Sequence, residues 1–289
     1  MTTESTQGAP ALATALLATA PWLEVASRGL LLLVRPPVAS WADPEADDDE
    51  ADAPSDHVVA VAGPPAVWLI LDGVEARALP PEFRGPIVRE GVLRIPATET
   101  SGLELVVMTS EGVGRALDGV TRRSLEMRWL MRHSAPLHDP LHRHDSLVGA
   151  AGRLPADSLE RAVRPLYVQA AVALRALAEL PVDAAPERLV MLMGEAMGGL
   201  LRLACVIEEG SHPTIEWLAQ AGRATHLGKR IGSWLDDLGP ATSGEARAAR
   251  WVRDACSGVL RETAAVLQVE FGGRDWLVEP ESYGLRPPR

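Results

Sequence analysis

The chain has 289 residues, 47% of them apolar and 23% charged, an ordinary globular composition with room for two modest domains. Its formal charge of -11 argues against bulk binding to duplex nucleic acid, which depends on neutralising phosphates. No uninterrupted apolar run reaches the ~18 residues that cross a bilayer, so no membrane partner is expected.

The first predicted element is a helix over 11–20. No basic segment precedes it, so it is not read as an export signal, and a cytoplasmic location is expected. Short apolar or β-branched runs follow at 29–34, 57–62, 66–71, 74–79, 92–95 and 103–108, broken by Pro and Gly, and each suits a buried strand. Between the first two runs lies an acidic loop, 43–56, with eight acids and no base. Like charges repel and nothing apolar anchors them, so this loop reads as solvated. Asp72-Gly73 reads as the turn of a hairpin joining 66–71 to 74–79. A helix is expected at 124–133. The fold class is therefore α/β (α+β): a mixed sheet covered by helices over residues 1–150.

From 155 onward the pattern becomes helical. Asp157 is placed to cap a helix whose apolar positions Leu159, Val163, Leu166, Val172, Leu174 and Leu177 lie near a 3.6 period, with Pro165 inside it predicting a kink or a late start. Pro186 opens a second helix to about Glu208, in which Gly194, Gly198 and Gly199 allow another helix to approach. Pro213 starts a third. A fourth runs over 225–238, ended by Gly239-Pro240, and a fifth over 244–267. Five helices with short links make an all-α bundle over 151–271, followed by an extended tail, 272–289. Trp129, Trp217, Trp234 and Trp251 are expected as core anchors. Cys205 and Cys256 are expected as buried thiols, and no C-x-x-C occurs. The one lysine, Lys229, stands against 27 arginines, and no P-loop, Rossmann fingerprint or Gly-x-Ser-x-Gly elbow is present.

Ser55-Asp56 leading into a strand, then Asp72-Gly73-Val74-Glu75, then Leu137-His138-Asp139-Pro140 after a helix, together resemble the nucleotidyltransferase superfamily. The bacterial small-molecule nucleotidyltransferases, including the aminoglycoside-modifying enzymes, are similar in this order of motifs. His212-Pro213-x-x-x-Trp217-Leu218 resembles an element of their helical bundle. The resemblance covers about residues 22–240. It implies Mg²⁺ and an NTP as cofactors, with Ser55 and Asp56 at the nucleotide and Asp56 and Glu75 as metal ligands. It implies transfer of a nucleoside monophosphate to a small-molecule or protein acceptor by two-metal phosphoryl chemistry. It also makes Glu195 a candidate general base.

The chain departs from this pattern. Asp56 is followed at i+2 by Val58, and valine cannot ligate Mg²⁺. The phosphate-cradling Gly-Ser is replaced by Ser27-Arg28-Gly29 or by nothing. A catalytically silent descendant that binds a nucleotide, a ligand or a protein therefore stands beside the active reading. Two further constellations stay open. His133, His138, His142 and His144, with Asp139 and Asp145, could ligate a transition metal or line a polar loop. Arg128-x4-His133 matches the loose Arg-x4-6-His pattern of HEPN ribonucleases, which occur in toxin–antitoxin pairs.

Overall fold

The computed structural model describes residues 30–33, 66–72, 79, 81, 92–95, 104–152, 154, 157–181, 184–238 and 248–284. The chain divides into two compact units, residues 1–153 and 154–289. The expected helix at 11–20, the acidic loop 43–56 and the strand at 57–62 lie outside the described residues, as do Ser55, Asp56 and Glu75.

The first unit holds a five-stranded sheet among its described residues. Its strands are β1 (Leu30–Leu33), β2 (Ala66–Leu71), β3 (Val92–Ile95), β4 (Glu104–Thr109) and β5 (Ala135–His138), in the order β3-β4-β2-β1-β5. β2 and β4 are parallel, and the other three pairings are antiparallel. Val67, Leu69, Leu71 and Val107 are buried, and so are Trp68, Ile70, Val106 and Met108. Successive strand residues point to opposite faces, so β2 is covered on both sides, which is why AVWLIL is apolar without alternation. Trp68, Ile70, Val106 and Met108 pack with Val113 and Leu117 of α1 (Ser110–Asp118), Met127 and Met131 of α2 (Arg122–Arg132) and Ala151 of α3 (His144–Ala151).

Two sequence expectations change here, at Leu79 and in the histidine-rich stretch. Among the described residues β2 has β1 on one side and β4 on the other, and residues 73–78, the rest of the hairpin expected at Asp72-Gly73, lie outside the described residues. Leu79, expected at the end of a strand, is a buried bend. The histidine-rich stretch is no plain loop. It contains β5, an edge strand among the described residues, whose Pro136 is tolerated because one of its sides has no ladder partner among them, and it leads into α3.

The second unit is helical: α4 (Ser158–Ala178), α5 (Pro186–Glu209), α6 (Ile215–Ala224), α7 (His226–Leu238), α8 (Ala248–Phe271), α9 (Asp275–Val278) and α10 (Pro280–Gly284). α4 packs along α5 and α8. The helix passes through Pro165 without a late start, and Asp157 makes no side-chain cap. Pro186 occupies the first turn of α5, where a missing N–H costs nothing. Gly210, at φ 68°, closes α5 in the left-handed conformation and donates its N–H to the Val206 carbonyl at 2.9 Å. Of the three glycines in α5, Gly199 makes the close approach: a Cβ there would lie 3.1 Å from Ala170 Cβ on α4. Helix α5 is long and apolar enough by composition to cross a membrane, and 56% of its apolar stretch is buried inside the protein. Within the tail expected to be extended, residues 275–278 and 280–284 form α9 and α10. Trp276 is buried, donates Nε1–H to Glu160 at 2.9 Å and stands edge-on to Tyr167 and Phe271.

Candidate site at the carboxyl ends of two parallel strands

The register of β2 on β4 pairs Leu71 with Thr109. The two strands end in step, so the next residues, Asp72 and Ser110, emerge side by side at the carboxyl end of the sheet. Ser110 begins α1 at once, and Thr109 caps that helix by accepting the Gly112 N–H at 3.0 Å. Ser110 Oγ donates to Asp72 Oδ1 at 2.8 Å. Arg143, 71 residues further along, donates Nη1–H to the same oxygen at 2.7 Å and Nη2–H to the Ile70 carbonyl at 3.3 Å. Side-chain exposure is 48% for Asp72 and 19% for Arg143, so the carboxylate faces solvent while the guanidinium is largely enclosed.

Arg143 is aimed by its own backbone. Residues 139–142 form a turn in which the His142 N–H bonds the Asp139 carbonyl at 3.2 Å, and His142 takes φ 53°. The Asp139 carboxylate then accepts the N–H of Arg143 at 2.9 Å and of His144 at 2.8 Å, satisfying donors at the start of α3. Desolvation acts to raise the Asp139 pKa. The two backbone N–H bonds and the charges of His142 and Arg143 outweigh it, and the carboxyl is held below its ordinary value.

The residues singled out from sequence fall in several places. Ser55, Asp56 and Glu75 lie outside the described residues. Glu195 sits on the exposed face of α5, where it accepts Gln169 Nε2–H from α4 at 2.5 Å. The four histidines serve separate local structures. His133 stacks on Trp129 with ring centroids 4.2 Å apart, and its Nδ1 lies 2.8 Å from the Trp129 carbonyl. His138 ends β5, His142 holds the turn, and His144 Nε2 lies 3.4 Å from Ser134 Oγ. Among the described residues no three His, Cys, Asp or Glu side chains converge to hold a metal.

Arg128 is 2% exposed, and its Nη1 donates to the carbonyls of Ala151 at 3.1 Å and Ala150 at 3.4 Å. Burial lowers its pKa, an effect that the charge of Asp118 opposes. It is a structural strut for the end of α3, and the ribonuclease reading loses its arginine.

Sequence reasoning passed over Ser110 and Arg143 and took Asp72 for a turn residue. An acid and a hydroxyl directly after two apolar strands were the available signal. Nothing in the sequence marked Arg143 as their partner.

The described fold is thus an α/β sheet unit followed by a helical unit. No family model matches the chain, and no curated protein matches it. Among solved structures, a nucleotidyltransferase-like protein from Exiguobacterium sibiricum is similar to it. The two share 15% identity, with 77% of this chain and 69% of that chain covered and a TM-score of 0.43.

Proposed function

We propose that this is a nucleotidyltransferase-like protein that binds a nucleotide, its ancestral reaction being transfer of a nucleoside monophosphate from an NTP to a small-molecule or protein acceptor. The observation that carries the reading is the order of Ser55-Asp56, Asp72-Gly73-Val74-Glu75, Leu137-His138-Asp139-Pro140 and His212-Pro213-x-x-x-Trp217-Leu218 along a chain built as a sheet followed by helices. In this reading Ser55 and Asp56 meet the nucleotide, Asp56 and Glu75 would hold Mg²⁺, and Glu195 is the candidate base toward the acceptor. Bound Mg²⁺ would supply neutralisation of the triphosphate. The protein works in the cytoplasm, without duplex nucleic acid or membrane as partners.

A non-catalytic binding protein on the same fold is favoured by two specific observations. Val58 stands where a second strand acid is needed. The one acid described at the carboxyl end of β2, Asp72, already receives a guanidinium. The residues described therefore do not fit a complete metal set.

Pyrophosphate release from ATP, GTP, CTP and UTP with Mg²⁺ and a broad acceptor panel decides between the two. The active form releases it, and Asp56→Ala abolishes the release. The binding form releases none yet retains an NTP in equilibrium dialysis. A chain that neither releases pyrophosphate nor retains any NTP is not a nucleotidyltransferase-like nucleotide binder.

A further inference from the structure

We propose that Arg143 is the resident cation of this strand end: its guanidinium, in place of a divalent ion, neutralises Asp72. The inference rests on the preceding reading only for where a metal would be sought. The ion pair itself stands on geometry. Parallel pairing brings Asp72 and Ser110 together at the carboxyl ends of β2 and β4, a place where open α/β sheets present polar groups to ligands. One carboxylate oxygen there, Asp72 Oδ1, takes both the Ser110 hydroxyl at 2.8 Å and the Arg143 guanidinium at 2.7 Å.

A Mg²⁺ ion needs oxygen lone pairs at about 2.0–2.1 Å in near-octahedral array. At Asp72 Oδ1 those lone pairs accept hydrogen bonds instead, and a fixed positive charge lies within hydrogen-bonding distance. A second cation would meet that charge directly. The guanidinium also donates to the Ile70 carbonyl, so another oxygen beside the site is engaged as well.

The arginine is held there by design of the backbone. Asp139 accepts the N–H of Arg143 and of the next residue, His144, with its two separate oxygens. This fixes the point from which the Arg143 side chain departs. Asp139 is thus a positioning residue, acting on Asp72 through Arg143. The Leu-His-Asp-Pro turn that suggested a nucleotidyltransferase then has a second task in this chain, which is to deliver a cation to the sheet.

Mn²⁺ titration of the full chain followed by electron paramagnetic resonance tests the metal half of the claim. Asp72→Asn is expected to bind the same number of Mn²⁺ ions as the parent with the same affinity. Loss of one equivalent in Asp72→Asn overturns the proposal. Thermal unfolding of Arg143→Gln, Asp72→Asn and the double variant tests the pairing half. Arg143→Gln is expected to lower Tm, and adding Asp72→Asn to recover part of that loss, because an uncompensated carboxylate is then removed. Strictly additive shifts overturn the proposal. Both readouts are independent of catalysis and of nucleotide binding. A failed pyrophosphate and dialysis experiment would therefore remove the functional reading and leave this one to be judged separately.

Discussion

The two units of the chain use some of their charges differently. In the sheet unit, three charged side chains are tied to backbone: Arg128 to the carbonyls ending α3, Asp139 to the N–H groups starting it, and Arg143 to the Ile70 carbonyl as well as to Asp72, beside the exposed pair Arg122 with Glu126. In the helical unit, ion pairs join side chains at or near the surface, such as Arg230 with Glu262, Arg175 with Glu281 and Arg274 with Glu160, and Arg253 and Glu208 also bond backbone. Several of its glycines sit where a side chain does not fit. A Cβ on Gly222 would meet Leu201, one on Gly258 would meet the Trp234 ring, and one on Gly228 would overlap the Gly222 carbonyl oxygen. The lesson is that a charge fixes geometry when its partner is backbone, which cannot move away. A charge paired with another long side chain mostly decorates the surface.

Three substitutions and one double-mutant cycle can break or sharpen that contrast. Arg128→Met keeps the volume and removes the donors, leaving the Ala150 and Ala151 carbonyls without them. The expected loss is about 2–4 kcal/mol in urea unfolding of the full chain, and a neutral result would mean that the sheet unit does not depend on its buried charge. Gly228→Ala comes next. Alanine in a helix ordinarily gains stability, but here the new methyl meets backbone, and a loss of about 2–3 kcal/mol is expected by the same measurement.

Asp139→Asn removes the charge and leaves one acceptor oxygen for the two N–H groups at the start of α3, at a cost of about 0.5–2 kcal/mol. It also carries a pH signature. The folded pKa of Asp139 is depressed, so its contribution is fully present above the unfolded value of about 3.9 and is lost as pH falls through the folded value. Melting curves between pH 6 and pH 3, both about the useful range for a carboxylate, should show a shallower acid-induced fall for Asp139→Asn than for the parent. Parallel curves would remove Asp139 from the account. The smallest effect belongs to Arg230 and Glu262. A double-mutant cycle on this pair is expected to give a coupling of about 0.5 kcal/mol or less, which salt erodes further. A coupling several times larger would erase the distinction between the units.

Much of the architecture was legible in sequence for reasons that can be named. β2 and β3 appear at their expected positions because short apolar runs between Pro and Gly have few other ways to be buried. α5 starts where Pro186 predicts. Other elements were hidden by composition. α1 carries two glycines and a serine in nine residues, a poor helix former that is held by its Thr109 cap. β5 contains Pro136, which argues against a strand unless the strand lies at an edge, and edge position is a property of the assembled sheet. The terminal helices α9 and α10 are too short to show a period, and they are secured by Trp276 on Tyr167 and Glu160. The cysteines read as buried thiols are buried, and burial raises both pKa values, that of Cys256 to about 11.

Sequence by itself determined where the apolar runs lie and which residues break them, because burial of apolar surface and the backbone limits of Pro and Gly act locally. It also determined the types of acid and base available. What only the tertiary structure decided is which of them meet. Asp72, Ser110 and Arg143 come together because β2 and β4 run parallel and end in register, and because a turn held by Asp139 returns the chain to their shared end. Pairing between residues 38 and 71 positions apart is a consequence of strand order, and strand order is settled by packing across the whole unit.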